Sequence, residues 1–128
     1  MRPLRWTDAA EYLQWIGLLG AALVWTGQHI VGFGVTVANC SPGGSHWGLD
    51  VRAWEIALMI AAGTLVLLAE AAAITVLRQT QGADHSGEPP IGRRHFFALA
   101  AALGNILFLV IILLGGIAAT VHQPCHQA

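Results

Sequence analysis

The chain has 128 residues, of which 55% are hydrophobic and only 10% are charged. A soluble domain carries about a quarter charged residues, so a water-facing surface is excluded over most of the molecule and lipid is the expected solvent. The formal net charge of −1 excludes a basic footprint for nucleic acid, and the length suits one small membrane domain.

The first apolar stretch is "YLQWIGLLGAALVWTGQHIVGFGVTVA", residues 12–38. A membrane helix needs roughly 20 mostly apolar residues, each advancing about 1.5 Å, so this stretch predicts a span. Asp8 with Glu11 three residues on is a candidate capping box, which places the helix start near "TDAAE". Gly20, Gly27 and Gly34 recur at seven-residue intervals, with Gly17 close to the same stripe. A seven-residue repeat predicts a left-handed seam against a neighbouring helix. Gln28 and His29 fall inside the span, about 14 Å below its outer end by helical rise. The expectation is a buried His29 bonded to a backbone carbonyl or to Gln28; ligation of haem or copper together with Met59, at comparable depth, is the alternative. The span reads as an uncleaved anchor, since a signal's apolar region runs to about 7–15 residues.

The loop 39–52, "NCSPGGSHWGLDVR", leads into the second span, residues 53–77, announced by "GLD". This span carries Glu70, about 12 Å above Arg78 by helical rise. The loop 78–95 contains "EPP", where prolines forbid one continuous helix. The third span, residues 96–121, opens Ala-rich, and its bulky middle "ILFLVIILL" is expected to face lipid. Asn105 lies about 16 Å above Arg94, within one helical turn of the Glu70 depth, which predicts a hydrogen bond between the two across the second and third helices. Such an intramembrane carboxyl has a second reading, as a proton relay.

Arginine sets the orientation. Arg2, Arg5, Arg78, Arg93 and Arg94 flank one side of the spans, and Arg52 alone flanks the other. Short Arg-rich loops stay cytoplasmic. The expected fold is therefore an all-α integral membrane three-helix bundle, with a cytoplasmic N-terminus and an extracytoplasmic C-terminus. Trp6, Trp47 and Trp54 fit interfacial belts.

That topology places Cys40 and Cys125, the only cysteines, on the outer side. Thiols there usually oxidise, so a disulfide between them is expected, tying the first helix to the third. The alternative is a copper or zinc site drawn from Cys40, His46, His122, Cys125 and His126. "HQPCH" is not a recognised ligand spacing and Cys-x-x-Cys is absent, so no metal and no cofactor is expected. Nor does the chain carry a Gly-rich phosphate loop, an HExxH pair or a local Ser/His/Asp set.

The combination "GQHIVGFGVTVANC", "GLDVRAWEIA", "LLAEAAA", "GRRHFFALAAALGN" and "HQPC" resembles a family of small three-span bacterial membrane proteins. Members of that family are often encoded beside haem–copper cytochrome c oxidase subunits. The resemblance covers most of the chain. It implies three spans, an external cysteine at two helix ends and an accessory role in a respiratory oxidase, and it carries over no catalytic residue. The expected function is accordingly a non-enzymatic accessory or assembly subunit of a terminal oxidase complex in the bacterial plasma membrane, with lipid and larger oxidase subunits as partners. Two alternatives stand beside it: an extracytoplasmic copper-handling protein, and a small homo-oligomeric proton-linked transporter using Glu70.

Overall fold

The structure, a computed structural model, describes residues 6–41, 48, 50–82, 91–122 and 125, without the side chains of 6–8 and 91. Three helices account for nearly all of this: α1 (Trp6–Cys40), α2 (Val51–Gln79) and α3 (Ile91–Val121). Within them Ala9–Cys40, Val51–Gln79 and Gly92–Val121 are long and apolar enough to cross a membrane. The fold is an all-α three-helix bundle in which every pair of helices is in contact. The helices contain 35, 29 and 31 residues. At about 1.5 Å per residue each exceeds the roughly 30 Å hydrocarbon layer, so the helix ends project beyond it or the axes tilt.

Each helix outruns the span read from hydropathy, for local reasons. α1 starts at Trp6, so Asp8 lies inside the helix and is not its cap. α2 starts where the sequence announced it: the Asp50 carboxylate accepts from Arg52 N at 3.0 Å and Ala53 N at 3.3 Å. These bonds satisfy two of the amides a helix start leaves without partners. α3 begins directly after the proline pair and takes Arg93 and Arg94 into its first turn. Proline suits a helix start, where a missing N–H removes no intrahelical bond. At the same end of the molecule Thr80 Oγ1 and His95 Nδ1 meet at 3.0 Å, joining the end of α2 to the start of α3.

The side chains are arranged with small residues in and bulky ones out. Ala21, Ala62, Ala69, Ala73, Ala98 and Ala101 are buried, whereas Leu23, Phe33, Leu68, Leu107 and Leu114 are exposed. Lipid tails are as apolar as leucine, so burying leucine between membrane helices gains little. Close backbone approach gains dispersion contacts instead, and small residues permit it. The middle of α3 obeys this only on one side. Ile106, Leu107, Val110, Ile111, Leu113 and Leu114 face outward as expected, but Ile112 is fully buried against Ala21, Ala62 and Val66.

The glycine stripe is corrected more sharply. Gly17 packs on Ala73, where an added methyl would sit 3.0 Å from Ala73 N, and Gly20 packs on Ala69 Cβ. Gly27 and Gly34 are exposed and have nothing within 4 Å among the described residues. The row that α1 turns inward is Gln14, Gly17, Ala21 and Gly32, with Val24, Trp25 and Gln28 half-buried along it. That row repeats every eleven residues (Gln14 to Trp25, Gly17 to Gln28, Ala21 to Gly32). A straight helix drifts about 20° per seven residues, so glycines spaced by seven rotate out of a face spaced by eleven.

Candidate functional site: polar groups within the bundle

At the end of the bundle opposite the arginines Cys40 and Cys125 form a disulfide with a Cα–Cα distance of 5.2 Å across 85 residues of sequence. The bond fastens the last residue of α1 to the segment that follows α3. Cys125 has φ 71°, in the left-handed region that disfavours residues with a Cβ. Both thiols are committed to each other, so neither is a thiolate donor for metal while the bond stands. Of the three histidines considered as ligands, His122 is exposed at the end of α3, and His46 and His126 lie outside the described residues. Among the described residues no three His, Cys, Asp or Glu side chains come together in a metal-holding group.

Deeper in, α1 and α2 bring together polar residues that hydropathy had separated. The Glu55 carboxylate lies over Gly32: a methyl there would be 2.9 Å from Glu55 Oε1. Glu55 is an inward-turned carboxylate that hydropathy alone does not single out. Its position on a seven-residue row with Ala62, Ala69 and Val76, all buried, was the signal that it turns inward. One turn below Gly32, Gln28 Oε1 is buried without a partner, and so is Trp25 Nε1. Trp25 also packs against Phe108 of α3, with ring centroids 5.8 Å apart. Met59 fills the space beside Gly116, where any Cβ would overlap its thioether.

His29 departs from its expected burial. It is exposed, with its ring 4.6 Å from that of Trp25 and Nδ1 3.0 Å from Trp25 O. A carbonyl can only accept, so Nδ1 carries the proton and Nε2 is left as the outward-facing nitrogen. The bond to a backbone carbonyl is the one anticipated; the side chain simply turns the other way from Gln28. Met59 is engaged with Gly116 and the core cluster, and His29 does not share that environment.

The expected Glu70–Asn105 pairing is present, and Asn105 makes a further bond that was not anticipated. Asn105 is 2% exposed, and its Nδ2 donates to Gly17 O on α1 at 3.1 Å. Gly17 has no side chain to shield its carbonyl, so the backbone of α1 becomes the nearest strong acceptor. The Asn105 side chain borders the Glu70 carboxyl as well, yet Glu70 Oε2 is buried without a partner. One amide thus links all three helices at one level, with the firm bond going to α1. The hydroxyls in the spans are satisfied within their own helices: Thr26, Thr36, Thr64 and Thr75 donate to the carbonyl four residues earlier at 2.7–2.9 Å.

No known protein family, no curated protein and no solved structure matches this chain.

Proposed function

We propose that this chain is a non-enzymatic accessory or assembly subunit of a respiratory membrane complex of the terminal oxidase type. The observation that carries the reading is the inside-out packing. Alanine and glycine close the interior, and bulky apolar side chains are turned outward on all three helices. Such a body meets lipid or larger apolar subunits on every side and keeps few polar groups for chemistry of its own. The oxidase context comes from the resemblance of "GQHIVGFGVTVANC", "GLDVRAWEIA" and "GRRHFFALAAALGN". In this reading the arginine-bearing end is cytoplasmic, and the disulfide end faces the oxidising side of a bacterial plasma membrane.

Affinity purification from native membranes in mild detergent tests the proposal. Haem–copper oxidase subunits are expected in stoichiometric amounts, and their repeated absence would overturn it. A second reading, a proton-linked transporter, is favoured by one feature, the partnerless Glu70 Oε2. It requires Glu70→Gln to abolish a proton-coupled flux in reconstituted vesicles.

A further inference from the structure

At the arginine-bearing end, α1 and α3 enclose a cleft of about 390 Å³ lined by Glu11, Gln14, Trp15, Arg93, Arg94 and Phe97. We propose that this cleft binds the phosphate of an anionic phospholipid headgroup. Three independent features converge on it. Arg93 and Arg94 stand in the first turn of α3 and form no ion pair among the described residues. With Glu11 the three charges leave the cleft one unit positive. The helix start adds amides that lack intrahelical partners and point toward the same end, and such groups favour an anion.

The second feature is Gln14. Its side chain is only 8% exposed, yet it lines the cleft and its amide has no hydrogen-bond partner among the described residues. The side chain is packed in while its amide stays open to the cleft, where a phosphate oxygen would accept from its NH₂ group. The third feature is the wall. Trp15 is 48% exposed and flanks the cleft together with Phe97. Trp is at home at the headgroup level, with its ring toward the acyl chains. A charged, hydrogen-bonding floor with an aromatic rim open to lipid suits a diacyl phosphodiester better than a soluble phosphate. Basic pockets between membrane helices are sites of this chemistry. The assignment is independent of which larger complex the chain joins.

The test uses the full chain in detergent, with native mass spectrometry reading apparent affinities for phosphatidylglycerol and phosphatidylcholine. Phosphatidylglycerol is expected to bind the more tightly. At roughly fivefold per arginine near a headgroup, the double variant Arg93→Gln/Arg94→Gln loses about thirtyfold for phosphatidylglycerol and little for phosphatidylcholine. Each single variant loses a share, so the result survives if the double variant folds poorly; far-ultraviolet circular dichroism checks helicity in each. Gln14→Leu weakens the same lipid while leaving net charge untouched. Arg78→Gln, an exposed charge at the same end but outside the cleft, leaves binding as it was. An equal loss in Arg78→Gln shows diffuse charge instead of a site and overturns the proposal, as does an unchanged double variant. Full competition by millimolar inorganic phosphate shows a soluble-anion site and overturns the lipid assignment.

Discussion

The two halves of the bundle are held together by different means. Toward the arginine-bearing end, backbone meets backbone: Gly17 lies on Ala73, which packs with Ala101 and Ala102, and Asn105 adds a bond to Gly17 O. Toward the other end the fillers are large. Trp25, Met59, Phe108 and Leu109 pack around Val66 and Ile112. There Trp25 Nε1 and Gln28 Oε1 lack partners, and a covalent bond closes the end. The contrast teaches that close packing and a staple are substitutes. Where small residues let the backbones meet, non-covalent contacts close the bundle; where bulky side chains and unpartnered polar atoms fill the interior, the disulfide adds a covalent tie.

The largest expected effect breaks the disulfide-bearing half. Replacing both Cys40 and Cys125 with Ser is expected to lower stability by about 2–4 kcal/mol, since losing a native disulfide that closes a long loop typically costs this much. Denaturant titration in detergent micelles measures it, with helix content as the signal. If the double variant unfolds at the same denaturant concentration as the parent, the disulfide-bearing half is self-sufficient and the contrast fails.

Next comes the arginine-bearing half. Gly17→Ala forces a methyl to 3.0 Å from Ala73 N and 3.1 Å from Ala73 Cα, and backbone cannot swing away. Overpacking of this kind costs about 1–3 kcal/mol. Gly116→Ala is the matched control in the disulfide-bearing half, because its obstacle is the flexible Met59 side chain. A smaller loss is expected there under the same titration. Equal losses would mean that the two halves are packed alike.

How much of this was legible beforehand differs between the halves for a physical reason. Helix number, the Asp50 start and the Cys40–Cys125 pairing follow from hydropathy, capping chemistry and redox environment, all of which act on short segments or on single residue types. The depth match of Glu70 and Asn105 was also legible, since helical rise is constant. What depth cannot supply is azimuth. Asn105 found Gly17 O because of the angle at which α1 faces α3, and His29 turned outward while its neighbour Gln28 turned in. Those outcomes depend on a difference of 100° between adjacent residues, and on whether the inward row repeats by seven or by eleven. The buried row on α2 is the seven-residue kind and would have exposed Glu55 as inward-facing; on α1 the glycine spacing pointed to the wrong row.

Asn105→Leu tests the polar link on its own. The side chains are close in size, so the change removes a hydrogen bond with little new space, and interhelical bonds of this kind are worth about 1 kcal/mol in a membrane protein. The loss should therefore fall below that of Gly17→Ala. A larger loss would assign the arginine-bearing half to its hydrogen bond and not to its close packing.

The smallest effect sharpens the comparison most, because it asks whether the two halves are complete in themselves. Gly27 sits at the exposed surface of α1 with nothing within 4 Å. In an isolated bundle Gly27→Ala meets no obstacle, and it removes the conformational freedom of a mid-helix glycine, worth about 0.5–1 kcal/mol in favour of alanine. A slight gain in stability is expected, in contrast to the loss at Gly17, although both are glycines of the same helix. The same titration run in liposomes extends the test. A loss there, absent in micelles, would show that Gly27 and Gly34 pack against a second membrane helix that micelles strip away. The seven-residue stripe would then belong to an interface outside this chain, while the eleven-residue row serves the bundle within it.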